Sequence, residues 1–179
     1  LALNFRLTAP ELDYIISNAE PMVMIYDLEL SQTVDALTVE VPHVVETQGQ
    51  GGPSAFESAI FDVVPTLDMV PLTPDAQCML MYSSGTTGLP KGVIITHGMM
   101  VWAQINASSM HCNSDMVGLT VMPLFHIGGL QVFTCPALFF GGTAIIMRAF
   151  DPGAALDAFS KLLIASAYCF NCICAKPKL

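Results

Sequence analysis

Residues 82–93 read Tyr82-Ser83-Ser84-Gly85-Thr86-Thr87-Gly88-Leu89-Pro90-Lys91-Gly92-Val93. Three glycines, four serine or threonine hydroxyls and one lysine fall within these twelve residues. Glycine lets a backbone reach positive φ and approach a ligand closely, and clustered N–H groups and hydroxyls are the donors that an anionic phosphate needs. The stretch therefore reads as an anion-binding loop. Lys91 sharpens that reading, because no other Lys or Arg lies between Arg6 and Arg148 in a chain of formal charge −9. A lone cation in a glycine-rich loop is better explained by a bound anion than by general solubility. The bland alternative is a glycine-rich hairpin with no ligand. A Walker A loop is disfavoured, since it needs Gly-Lys-Ser/Thr and here Pro90 precedes the lysine and Gly92 follows it.

The second informative stretch is Met122-Pro123-Leu124-Phe125-His126-Ile127-Gly128-Gly129. It follows an expected strand, Gly118 to Val121, which Pro123 ends. The glycine pair then begins a helix. His126 thus falls just past a strand end, where α/β folds place their ligands. Taken alone, a histidine amid apolar residues is more often a satisfied structural group.

Around these two stretches the sequence alternates helix and strand. Thr8-Ala9-Pro10-Glu11 has the form of a capping box with proline in the first turn, which predicts a helix from Ala9 to Asn18. Leu12, Ile15 and Ile16 give that helix an apolar face. Pro21 to Tyr26 reads as a strand ending at Asp27, Gln32 to Glu40 as a helix and His43 to Glu46 as a strand. Gln48 to Pro53 reads as a turn-rich linker, and Pro65, Pro71 and Pro74 make the following approach irregular. Asp75 to Met81 is then an expected strand delivering the anion loop, and Val93 to Ile95 a second. Thr96 is the expected N-cap of a helix from His97 to Ser109 that carries Trp102 as a packing residue. Helices from Leu130 to Phe140 and from Asp151 to Lys161 flank a strand from Thr143 to Met147. Such a rhythm predicts an α/β fold with parallel-sheet βαβ layers.

Composition bounds the rest. The 179 residues are 53% hydrophobic and 12% charged, far from the disordered class. Low charge implies much surface normally hidden against other protein. The acidic balance argues against nucleic acid as a partner. Twelve of fifteen acidic residues precede Ala76, so the second half is nearly uncharged. The six cysteines form no regular framework, which with no secretory signal points to a reducing cytoplasm. Cys169 and Cys172 form a single CxxC without the second ligand pair of a zinc site. Asn106-Ala107-Ser108 is a glycosylation sequon without meaning in that compartment. Val117 to Met147 lacks Asp, Glu, Lys and Arg and is long enough to span a bilayer. Its prolines and paired glycines argue instead for buried strand, loop and helix. Arg6 reads as a solvated helix-flanking charge, and His43 as structural.

At Tyr82–Val93 the chain resembles the adenylate-forming, or AMP-binding, superfamily, which includes acyl-CoA synthetases. All twelve positions fit its signature, and Met122–Gly129 resembles its Pro-Leu/Met-Phe-His segment. Asn4-Phe5-Arg6-Leu7-Thr8, with Glu11 and Leu12, more loosely resembles fatty-acyl-CoA ligases. The resemblance covers Asn4 to Lys161 and implies part of the large N-terminal domain of such an enzyme. It implies ATP, Mg²⁺ and CoA as cofactors or co-substrates, and a carboxylic acid, expected to be a fatty acid, as substrate. Ser83, Ser84, Gly85, Thr86, Thr87, Gly88 and Lys91 would hold the phosphates, with the Ser83 hydroxyl on Mg²⁺. Lys91 and His126 would be catalytic, and His126, Ile127 and Gly128 would line the acyl pocket.

The family's adenine, ribose, hinge and C-terminal lysine motifs have no counterpart here, so residues 1–161 are expected to be an incomplete AMP-binding domain. Residues 162–179 depart from the family pattern and read as a divergent tail or a gene-model artefact. Two other readings stay open: an inactive truncated product acting as an interaction fragment, and a membrane-associated protein built on Val117–Met147. Membrane contact of the enzyme itself would be peripheral, and the oligomeric state is open.

Overall fold

The computed structural model describes residues 1–49, 51–61, 63, 70–83, 88–108 and 112–161. Ser84, Gly85, Thr86 and Thr87, Pro65, Ser109 and the tail 162–179 with Cys169 and Cys172 lie outside the described residues. The chain separates into two compact units. One comprises Leu3–Pro71 with Tyr82–Val93, and the other Leu1–Ala2, Leu72–Met81 and the chain from Ile94 onward.

In the first unit, α1 (Ala9–Ala19) starts where the capping sequence predicts. The Glu11 carboxylate accepts the Thr8 N–H at 2.8 Å and its hydroxyl at 2.7 Å, closing the first turn. These bonds, the hydroxyl's foremost, hold the Glu11 carboxyl below its ordinary range. Leu12, Ile15 and Ile16 are the buried stripe, one helical face at i, i+3 and i+4. The helix ends at Glu20, in the left-handed region at φ 47°, where its N–H donates to Ile16 O. Asp13, on the same helix, accepts from Thr38 N at 2.9 Å, Thr38 Oγ1 at 2.7 Å and Val39 N at 3.0 Å. α1 is thereby tied to the chain that leads into the next strand.

β1 (Val23–Asp27) and β2 (His43–Thr47) are parallel, with Val23 opposite His43 and Asp27 opposite Thr47. A 3₁₀ turn, Leu28–Leu30, and a short α2, Ser31–Asp35, lie on the crossover. The expected helix over Gln32 to Glu40 is therefore shorter and earlier, because Asp13 takes the Thr38 and Val39 amides that would have extended it. A further helix, α3 (Ala55–Ile60), was not expected. Its Ser54 N-cap hydroxyl accepts the Glu57 N–H at 3.4 Å, and Ser-x-x-Glu was the available signal.

β3 (Gln77–Ser83) and β4 (Lys91–Thr96) are hydrogen-bonded neighbours. The His97 N–H donates to Ala76 O, joining the end of β4 to the start of β3 as a hairpin does. In the second unit, Thr96 caps α4 (His97–Ala107) by accepting the Met99 N–H at 3.2 Å, as expected. Trp102 corrects the sequence reading: it is 65% exposed. The buried face of α4 contains Gln104 and Ala107, and Trp102 projects elsewhere around the helix.

β5 (Val117–Thr120) and β6 (Thr143–Ile146) form a second parallel pair, Val117 opposite Thr143. Between them the chain winds first as a π-helix, Gly128–Thr134, then as α5, Cys135–Phe139. The expected single α-helix over Leu130 to Phe140 is thus two windings. Gly141, at φ 78°, turns the chain out of α5, and the Gly142 N–H donates to Ala137 O at 2.7 Å. A Cβ on Gly142 would lie 2.5 Å from Met116 O, so β6 enters its pairing only with glycine there. α6 (Pro152–Lys161) follows, its start tied by Asp151 Oδ1 accepting the Ala154 N–H at 2.6 Å. The core of this unit includes Met81, Ile95, Ala107, Met116, Leu119, Ala137 and Ala155. Both parallel pairs are βαβ units, as the alternation predicted. Among the described residues no helix is long and apolar enough to cross a membrane.

Candidate functional site

The glycine-rich loop lies between the end of β3 and the start of β4, so two paired strands hold its ends. Ser83 is the last residue of β3 and is exposed. Lys91, expected within the loop, instead opens β4 and is also exposed. A strand backbone fixes the lysine's Cα while its four-carbon stem leaves the ammonium mobile. Gly88 is exposed, with no atom within 4 Å of where a Cβ would stand. Whatever approaches this loop thus meets open backbone at Gly88, a hydroxyl on one rim and an ammonium on the other.

The strand end beneath the loop is anchored. The Tyr82 hydroxyl donates to Asn18 Oδ1 of α1 at 2.5 Å. Burial first, and Tyr14 second, push the Tyr82 phenol upward, keeping it a protonated donor. Nothing in the neighbouring residues singles out Asn18, since its partner is 64 residues away.

The His126 loop belongs to the other unit. The His126 N–H donates to Pro123 O at 3.2 Å, and His126 O accepts the Leu130 N–H at 3.2 Å. The Gly128 N–H donates to the ring's Nδ1 at 3.0 Å. His126 and Ile127 are exposed and Gly128 half-buried, so the three expected pocket residues fall together at the first turn of the π-helix. A Cβ on Gly128 would come to 3.0 Å from Met122 Cε and 3.2 Å from His126 Nδ1. Gly129 is tighter: its Cβ would overlap Pro123 O and sit 2.6 Å from Met122 O. The paired glycines thus let the helix start pack directly on the Met122–Pro123 backbone.

Beneath this turn lies a buried hydroxyl chain. Thr134 Oγ1 donates to Gly129 O at 2.9 Å and lies 2.9 Å from Thr120 Oγ1. Each hydroxyl has one hydrogen, so Thr120 is the donor to Thr134. On the other side, Gln104 Nε2 of α4 donates to Gln131 Oε1 at 2.7 Å and to Met100 O at 3.3 Å. None of these four side chains was singled out from sequence. A glutamine at i+4 from Met100 and three before Ala107, on an otherwise apolar helix face, was the one usable signal.

Arg6 stacks its guanidinium 5.5 Å from the Phe5 ring centre, and His43 opens β2. No cluster of three or more His, Cys, Asp or Glu suited to a metal ion occurs among the described residues. The hard oxygen donor present, Ser83, suits a hydrated cation that brings most of its ligands with it.

The AMP-binding enzyme family matches residues 1–176. A feruloyl-CoA synthase from an Amycolatopsis species is 36% identical over 181 residues, covering 98% of this chain and 35% of that protein. Indoleacetate–CoA ligase of Aromatoleum aromaticum is 31% identical over 166 residues, covering 90% and 32%. Among solved structures, ATP-bound MatB from Rhodopseudomonas palustris has a TM-score of 0.80 at 27% identity, over 90% of this chain and 32% of that one. The inhibitor-bound N-terminal domain of FACL13 from Mycobacterium tuberculosis gives 0.74 at 25% identity, over 87% and 39%. The chain spans about a third of the length of the curated relatives it matches. With its parallel βαβ units, its glycine and hydroxyl loop between β3 and β4, and a match over nearly its whole length, the chain belongs to the AMP-binding enzyme family.

Proposed function

We propose that the protein carrying this chain activates a carboxylic acid with ATP. The carboxylate oxygen bonds to the α-phosphorus as the bond to the bridging oxygen breaks, giving acyl-AMP and pyrophosphate. The thiol of CoA then takes the acyl group, releasing AMP and a proton. The observation that carries the reading is the loop between β3 and β4, with exposed Ser83 and Lys91 on its rims. Ser84, Gly85, Thr86, Thr87 and Gly88 cradle the β- and γ-phosphates, and Lys91 neutralises the departing pyrophosphate. The Ser83 hydroxyl would hold Mg²⁺, which would supply positive charge against the phosphates. His126 meets the carboxylate or the α-phosphate, and Ile127 and Gly128 line the acyl side.

The relatives' names include feruloyl, indoleacetate, fatty acids and sulfoacetate, which supports a carboxylic acid as the substrate class; the apolar character of the His126 segment favours a hydrophobic one, aromatic or aliphatic. The enzyme works in the cytoplasm, with at most peripheral membrane contact. Exposed Trp102, Ile25, Val44 and Leu156 favour a second reading, in which this chain by itself is an interaction fragment.

Carboxylate-dependent exchange of labelled pyrophosphate into ATP separates these readings. A panel of ferulate, indoleacetate and fatty acids should give exchange with one class well above the others. Folded protein that exchanges with none of them, while still binding other polypeptides, would favour the fragment.

A further inference from the structure

The imidazole of His126 is set by the helix start that follows it. Because the Gly128 N–H donates to Nδ1, that nitrogen carries no proton, and the neutral ring holds its hydrogen on Nε2. Gly128 can supply this bond because the first N–H groups of a helix have no partner within it. The direction of that N–H depends on how residues 128–134 are wound, and a π-turn is a local irregularity that surrounding contacts must hold.

Two sets of contacts hold it. The buried chain from Thr120 through Thr134 to Gly129 O fixes it from β5. From α4, Gln104 grips Gln131, whose own amide reaches the Met100 sulfur. Gln104 is 3% exposed, and its Oε1 has no hydrogen-bond partner among the described residues. A buried amide oxygen left this way costs free energy that a methionine of similar length would not. Packing alone therefore argues against glutamine at this position; what its amide adds are the bond to Met100 O within its own helix and the bond to Gln131, the one that reaches the π-turn.

We propose that Gln104 is a positioning residue which, through Gln131, holds the π-turn so that the Gly128 N–H keeps His126 in its Nε2–H form, a hydrogen-bond donor toward an anionic oxygen. The donor's use in adenylation rests on the function proposed above; the tautomer does not.

The test is nitrogen-15 NMR of the four histidines in the protein carrying this chain, as wild type and as Gln104→Met, with Gln131→Met breaking the same bond from the half-buried side. Wild-type His126 should show an unprotonated Nδ1 and a protonated Nε2 in its neutral form. Both variants should show mixed tautomers at His126 alone, with His43 and His97 unchanged and thermal stability retained or raised. A purely space-filling role for Gln104 would leave His126 unmoved in both. An unmoved His126 in any folded variant overturns the proposal. Pyrophosphate exchange, measured alongside, should fall about tenfold with the KM for ATP unchanged, as expected for a displaced reacting group. A shifted tautomer in a protein that never exchanges pyrophosphate would keep the positioning role and reject the adenylation reading.

Discussion

The loop between β3 and β4 and the loop after β5 carry the two groups of greatest chemical interest, Lys91 and His126, and they are held differently. The first is built from its own composition. Its described rim residues are exposed, and no atom lies within 4 Å of a Cβ position at Gly88. The second is fixed by buried neighbours: glycine packed on the Met122–Pro123 backbone, a threonine pair below and a glutamine pair beside it. A ligand cradle made of backbone and short hydroxyls can announce itself in a dozen consecutive residues. A side chain whose orientation depends on a framework cannot, because the framework is assembled from distant segments.

If that contrast holds, substitutions in the first loop should cost activity with little stability, and those beneath the second should cost stability as well. The largest effect is expected for Lys91→Ala. Removing the loop's one cation should slow carboxylate-dependent pyrophosphate exchange by about 10²–10³-fold, the scale seen when one preorganised charge-stabilising group is lost. Denaturant midpoints should barely move, since Lys91 is exposed. Unchanged exchange kinetics would remove Lys91 from the chemistry.

Gly129→Ala comes next and strikes the other loop. The new methyl would overlap backbone oxygens, which cannot rotate away, so equilibrium unfolding should show a loss of about 3 kcal/mol. A stable alanine variant would show that the Met122–Pro123 turn is softer than its packing indicates.

Thr134→Val tests the hydroxyl chain. It strands Thr120 Oγ1 and Gly129 O in a buried setting, and the expected loss is about 1–3 kcal/mol, read by urea denaturation. Thr134→Ser should recover most of it. His126→Ala sharpens the comparison further. His126 is exposed and makes only local bonds, so adenylation should suffer more than stability. A variant that melts early yet keeps its specific activity would make His126 structural.

The smallest effect is a pH dependence far from either loop. The Thr38 hydroxyl first, with the Val39 amide, holds the Asp13 carboxyl below its ordinary range. A lowered folded value means the stabilisation is present at neutral pH and is lost as pH falls through that value. Asp13→Asn should therefore be modestly less stable than wild type at pH 7, and the gap should close below about pH 4. A gap independent of pH would mean that the carboxylate charge contributes nothing there.

Much of the local architecture was legible because it depends on neighbours in sequence. Thr8 with Glu11 opened α1, Thr96 opened α4, and Gly141-Gly142 closed α5. Alternating apolar runs gave both parallel strand pairs. The errors share one cause. The expected helix over Gln32–Glu40 lost its end to Asp13, which lies 25 residues from Thr38. Trp102 was expected to pack because its neighbours are apolar, yet α4 is apolar on more than one face and buries the one containing Gln104 and Ala107.

Residue type and spacing were enough to locate a glycine- and hydroxyl-rich loop with one lysine, to set His126 after a strand and to order the βαβ units. Tertiary structure alone decided that residues 128–134 wind as a π-helix, that Gln104 and Thr120 brace it, and that Nδ1 of His126 is an acceptor. The two braces come from hydrogen bonds whose geometry exists only after separate segments have packed together, 27 residues apart for Gln104 and Gln131 and 14 for Thr120 and Thr134, whereas the bond to Nδ1 spans two residues and follows from the winding.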